Sequence, residues 1–168
     1  MVVTGSESTG KTTLAADLAK RYGTVWSSEF AREYLDRKRT ALDASDVEPI
    51  ARGQIAGEDE AALRASRLLI LDTDLVSTVV YSRHYYGRCP EWITEAARKR
   101  LADLYLLLRP DVPWVPDGNL RDRPGARDEL HGLFGHALQA FGARTIEIGG
   151  SWDERRRLAV ASIDALRI

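Results

Sequence analysis

Gly5-Ser6-Glu7-Ser8-Thr9-Gly10-Lys11-Thr12 stands near the start of a chain of 168 residues and completes the pattern G-x-x-x-x-G-K-[ST]. Each part of this phosphate-binding loop has a physical task. Gly5 and Gly10 permit backbone turns that aim successive N–H groups inward, where phosphate oxygens would sit. Lys11 is a point charge for the β- and γ-phosphates, and Thr12 offers a hydroxyl to Mg²⁺. Glu7, Ser8, Thr9 and Thr13 fill the rest of the cradle expected around the nucleotide. A helix starting near Lys11 adds the positive end of its dipole. The flanks agree with this reading. Val2-Val3 is an apolar strand end before the loop, and Leu14, Leu18 and Tyr22, with Ala15 and Ala19, make an apolar helical stripe after it.

Outward from the loop, the bulk composition bounds the rest. A chain of 168 residues suits one domain, 1–168, large enough to bury a core without staples. A formal net charge of -1 supplies no global field toward nucleic acid or an anionic membrane. Cys89 is the single cysteine, which excludes an internal disulfide and fits a reducing compartment. No motif frames it as a nucleophile. No apolar run approaches the roughly 20 residues of a membrane span, and the first residues run straight into the loop's strand with no leader pattern. A cytoplasmic setting is expected.

Helices and strands alternate along the chain, which implies an α/β fold with a parallel sheet. Five strands are expected: the one before Gly5, then Thr24-Val25-Trp26, Leu68–Leu71 ending at Asp72, Leu104–Leu108, and Thr145–Ile148. Helices are expected at Glu29–Lys38, Asp46–Arg67 with Asp46 as its cap, Leu75–Tyr86 closing at Gly87, Pro90–Ala102, Arg127–Phe141 stopped by Gly142, and from a Ser151 cap onward. Ligands in such sheets gather beyond the carboxyl ends of the strands. The chemistry is therefore sought just after residues 4, 26, 71, 108 and 148.

Carboxylates stand at two of those ends. Asp72-Thr73-Asp74 follows an apolar strand, and a carboxylate there would hold Mg²⁺ opposite Thr12. Asp74 either serves the substrate or caps the helix at Leu75. Glu29 follows the second strand and could accept a hydroxyl proton across the cleft. Glu33, on the same helical face, reads as a solvated partner of a nearby arginine. Between the fourth strand and the next helix lies the longest irregular stretch of the chain, and residues 115–127 of it read as a lid. Arg121, Arg123 and Arg127 suit a cover over phosphate, with Arg121 and Arg123 placed at the transferred group and Arg127 at the nucleotide. Tyr81, Tyr85, Tyr86 and Trp114 could stack on a flat ring, but helical spacing makes core the plainer reading. Trp152 either flanks adenine or closes a hydrophobic corner. His84, His131 and His136 show no metal-ligand spacing.

These residues resemble a known family. Gly5 to Leu14 is similar to the G-x-E-S-T-G-K-[ST]-T-L loop of the ribosylnicotinamide kinase domain of NadR-type proteins. Glu29-Phe30-Ala31-Arg32-Glu33-Tyr34, Asp72-Thr73-Asp74 with Ser77-Thr78, and Leu104–Leu107 followed by Pro110-Asp111-Val112-Pro113-Trp114 match it in order. Asp117-Gly118 and Leu120-Arg121 are similar to its lid start, with Asn119 intervening. The resemblance covers nearly the whole chain. It implies a P-loop kinase fold, a parallel five-stranded sheet flanked by helices, with an arginine-bearing lid. It also implies ATP and Mg²⁺ as cofactors and phosphorylation of the ribose 5′-hydroxyl of nicotinamide riboside to nicotinamide mononucleotide. Lys11, Asp72, the lid arginines and either Glu29 or Asp74 would carry the transfer. Two other readings remain open: a kinase for another nucleoside or a nucleic-acid 5′ hydroxyl, and a regulatory P-loop ATPase. Near-neutral charge argues against long nucleic acid as the acceptor.

Overall fold

Short runs of valine, isoleucine and leucine form the central strands, buried on both faces because helices cover the sheet twice, while the two edge strands carry polar residues, Ser27 in one and the exposed Glu147 in the other. The computed structural model describes residues 1–114 and 124–166. In it β1 (Val2–Thr4), β2 (Trp26–Ser27), β3 (Ile70–Asp72), β4 (Tyr105–Leu108) and β5 (Thr145–Ile148) form one parallel sheet in the order β2-β3-β1-β4-β5. Between the strands run α1 (Lys11–Tyr22), α2 (Phe30–Lys38), α3 (Val47–Arg64), α4 (Leu75–Tyr86), α5 (Glu91–Lys99), α6 (Arg127–Phe141) and α7 (Trp152–Asp164). The parallel five-stranded sheet flanked by helices is as the sequence implied.

Alternation along the strands divides the interior in two. Val2, Leu71, Tyr105 and Leu107 point to one face, where Val47, Val76, Val79, Ile93 and Phe134 of α3 to α6 meet them. Val3, Ile70, Leu106 and Leu108 point to the other, against Leu14 and Leu18 of α1 and Ala159 and Ile163 of α7. Among the described residues no helix is long and apolar enough to cross a membrane.

Glycines in the left-handed region end α4 at Gly87 and α6 at Gly142 where the sequence placed the stops. Several boundaries differ from expectation by one to three residues, among them the start of the third strand at Ile70 rather than Leu68. The second strand starts at Trp26 rather than Thr24, because Thr24 N–H returns to the Ala19 carbonyl and its hydroxyl bonds the Leu68 carbonyl. α3 ends at Arg64 and α5 at Lys99, both a few residues short. Asp46 occupies the cap position of α3, but its carboxylate accepts from Asp43 N at 2.7 Å and Tyr34 hydroxyl at 3.0 Å instead.

α2 buries none of its residues fully and is held by its contact with α3. The approach is close: a Cβ at Gly53 would sit 2.0 Å from Phe30 Cε1. Gly53→Ala gains about 1 kcal/mol of helix propensity but overpacks this contact, which costs about 1–3 kcal/mol. A lower melting temperature is expected in thermal denaturation. A higher one would mean that the Phe30 ring swings clear.

Candidate active site

All five strands present their carboxyl ends to one edge, with β1 between β3 and β4, and the loop after β1 lies in the middle of that edge. Gly5 takes φ +133°, and a Cβ there would meet the Leu108 carbonyl oxygen at 2.8 Å. Gly10 takes φ +86°. Only glycine lets the chain turn at both points while staying so close to the sheet. Inside the loop, Thr9 Oγ1 and Lys11 Nζ each donate to the Ser6 carbonyl at 2.9 Å. The lysine head therefore lies folded over the cradle that its charge is meant to serve.

Pairing of Val3 with Asp72 brings the end of β3 beside the loop. Thr12 Oγ1 donates to Asp72 Oδ2 at 2.6 Å. Asp72 is buried, and its other oxygen, Oδ1, has no partner among the described residues. Burial pushes the Asp72 carboxyl up from its ordinary range, against the pull of Lys11 and the Thr12 hydrogen bond. A buried carboxylate oxygen left over beside a threonine hydroxyl fits a hard divalent cation, one that takes its remaining ligands from phosphates and water. Among the described residues no group of three or more His, Cys, Asp or Glu is placed to hold a metal alone.

Thr73 has φ 67°, which is costly for a β-branched residue and marks a turn that the surroundings enforce. Beyond it Asp74 points into the protein. Its Oδ1 accepts from Val76 N at 3.0 Å, capping α4, and its Oδ2 accepts from the buried Tyr105 hydroxyl at 2.6 Å. Burial raises Asp74 to about 6 despite those bonds. Of the two roles the sequence left open for Asp74, the structure shows the cap, and Asp74 does not line the cleft.

The cleft is a cavity of about 750 Å³. Residues 7–13 of the loop form one wall and Glu29 and Arg32 another, while Thr73, Ser77, Tyr81 and Tyr85 close a third side. Glu29 is raised by burial and held back mainly by Lys11, and both side chains line the same cavity. Glu33 instead pairs with exposed Arg37 at 3.5 Å. Tyr81 and Tyr85 stack with centroids 6.0 Å apart and ring planes within 6°. Their spacing suggested core, yet both line the cavity. Glu7 also faces this way: Tyr85 hydroxyl donates to its Oε1 at 3.4 Å. Its carboxylate thus lies on the tyrosine side of the cavity.

Arg127 donates to the Val112 carbonyl at 3.0 Å through both terminal nitrogens and reaches the Ser8 carbonyl at 3.5 Å. The rest of the expected lid, with Arg121 and Arg123, lies outside the described residues. Trp152 lies against Gly10, where a Cβ would meet its ring at 3.0 Å, and joins the α1/α7 core. The Trp114 indole N–H has no acceptor among the described residues. Cys89 is half-buried and its thiol is pushed up by burial, as suits an inert residue.

Two residues escaped sequence reasoning. Gln54 lines the cavity from α3, and the sign of it was a polar residue on an otherwise buried stripe. Arg155 of α7 is fully buried. It donates to the carbonyls of Thr9 at 3.2 Å, Gly150 at 2.9 Å and Arg109 at 3.0 Å, and pairs with Asp111. Nothing in the sequence around it signals this.

A family model described as an AAA domain matches residues 1–155. The chain belongs to this AAA-domain family. Within the family its likeness is to NadR-type proteins, as the loop letters implied. Over 122 residues it is 34% identical to the trifunctional NAD biosynthesis/regulator protein NadR of Escherichia coli (strain K12), a match covering 70% of this chain and 30% of that protein. A solved structure of NadR protein in complex with NR superposes with a TM-score of 0.86 at 25% identity, covering 96% of this chain and 49% of the other. NadR protein in complex with NAD and AMP-PNP gives a TM-score of 0.80 at 23% identity, covering 94% and 46%. This AAA-domain chain therefore spans under half the length of these relatives, and its fold is that of the P-loop kinases.

Proposed function

We propose that the chain transfers the γ-phosphoryl group of ATP to the ribose 5′-hydroxyl of nicotinamide riboside, giving nicotinamide mononucleotide and ADP. The observation that carries this reading is a carboxylate, Glu29, on the wall of the same cavity as Lys11 and the phosphate loop. A hydrolytic switch has no need of a room for a second substrate. A hydroxyl kinase needs both the room and a proton acceptor. The likeness to NadR in complex with NR supports nicotinamide riboside as the occupant.

The roles follow from position. Lys11 and the loop amides hold the β- and γ-phosphates. The stacked Tyr81 and Tyr85 offer a flat face to the acceptor's base, and the Glu7 carboxylate beside Tyr85 favours a cationic ring such as a pyridinium. The 5′-oxygen bonds to the γ-phosphorus, the bond from that phosphorus to the β-bridging oxygen breaks, and the hydroxyl proton passes to Glu29. Thr12 and Asp72 are the residues that would hold Mg²⁺. When bound, the ion neutralises phosphate charge as it develops.

The test is incubation with Mg-ATP and a panel of nucleosides, followed by mass spectrometry. Nicotinamide riboside is expected to gain one phosphoryl group as ADP accumulates. Phosphorylation of a different nucleoside would keep the kinase and change its acceptor. ADP formation with every nucleoside unchanged would point instead to a regulatory ATPase.

A further inference from the structure

Gln54 is a polar side chain on the buried face of α3, in line with Val47, Ile50, Ala51 and Ala61, and is only 4% exposed. A buried amide is costly unless its hydrogen bonds are made. Here Nε2 donates to Glu58 Oε1 at 3.1 Å and to the Thr73 carbonyl at 3.5 Å, while Oε1 accepts from Phe30 N at 2.9 Å. Glu58 is itself buried and held by Arg100 at 3.3 Å. Because a carboxylate and a carbonyl claim the two donors, the amide oxygen is obliged to face Phe30.

Phe30 is the first residue of α2, and Glu29 is its cap. A cap residue ordinarily folds its own side chain back onto the free amides of the first turn. Glu29 makes no such bond. Gln54, from another helix, takes the amide of Phe30, the first of the free donors of α2, while the Glu29 carboxylate stays on the cavity wall. The neighbouring Gly53 admits the Phe30 ring, so residues 53 and 54 together fix where α2 begins. The same amide reaches the loop between Asp72 and Asp74 and so ties the ends of β2 and β3 to each other.

We infer that Gln54 is a positioning residue, which by binding the first amide of α2 fixes the residue next to Glu29 and so holds the Glu29 carboxylate where the acceptor hydroxyl gives up its proton. The inference rests on the reading of Glu29 as that proton acceptor.

The test is a double-mutant cycle between Gln54→Met, which keeps volume and loses the acceptor, and Glu29→Gln. It is read as kcat and as KM for ATP and nicotinamide riboside, with circular dichroism to confirm folding. Gln54→Met is expected to lower kcat about tenfold or more, as a displaced catalytic group does, with both KM values within about twofold. In the Glu29→Gln background it is expected to cost nothing further. Glu58→Gln, which keeps the shape and weakens the hold on the amide, serves if Gln54→Met fails to fold. It is expected to lower kcat about threefold, again only while Glu29 is present.

The inference is overturned if the loss persists in the Glu29→Gln background. It is also overturned if kcat is unchanged, with or without a rise in the nucleoside KM, which would mark direct contact with substrate. Glu29→Gln turning over at the wild-type rate would remove the base reading and this inference with it. A slow Glu29→Gln with additive Gln54→Met removes the inference alone.

Discussion

Lys11→Ala is expected to reduce kcat by on the order of a thousandfold, the upper range for losing one preorganised charge at a transferring group. The fold should survive. The lysine head bonds a loop carbonyl, Ser6 O, and fills no core position, so the melting temperature should move little. The measurement is single-turnover phosphorylation of nicotinamide riboside beside a thermal melt. A wild-type rate would overturn the mechanism, and a collapsed melt would reassign Lys11 to the scaffold.

Glu29→Gln comes next in size, a loss of about 10²- to 10⁴-fold in kcat if the carboxylate takes the hydroxyl proton. Its signature includes pH. Burial raises the Glu29 carboxyl more than Lys11 and Arg32 lower it. A base acts only when deprotonated, so kcat/KM should fall on acidification, at a pH above the ordinary carboxylate range. The amide variant should lose that limb. Should Glu29→Gln turn over normally while Asp74→Asn does not, the assignment would be reversed. The structure argues otherwise, since both Asp74 oxygens already accept hydrogen bonds, from Val76 and Tyr105.

What the sequence made legible follows from which properties are local. The loop from Gly5 to Thr12 was readable because spacing alone dictates its shape, and Asp72 because a carboxylate ending an apolar strand has few other uses. Gly87 and Gly142 closed their helices at the expected residues, since a left-handed stop is a property of one residue. Asp74 was ambiguous because its direction depends on the positive φ of Thr73, which no residue type advertises. Tyr81 and Tyr85 read as core because a core helix shows the same spacing as a helix lining a cavity. The rest of the cavity wall is therefore what no single motif showed, being assembled from α2, α3 and α4. Gln54 could have been noticed as a polar interruption of an apolar stripe, but its partners Phe30 and Thr73 lie on other elements.

The buried guanidinium of Arg155 has a consequence for where such a domain can be cut. It sits in the first turn of α7, after every strand, yet it ties together the segments that follow β1, β4 and β5. A segment trimmed after β5 would retain all five strands, the whole phosphate loop and each carboxylate. It would nevertheless lose the clasp on the Thr9 carbonyl and leave Asp111 without its counter-charge. The smallest unit able to grip a nucleotide thus extends beyond the last strand, and any polypeptide joined downstream has to follow α7 and cannot replace it.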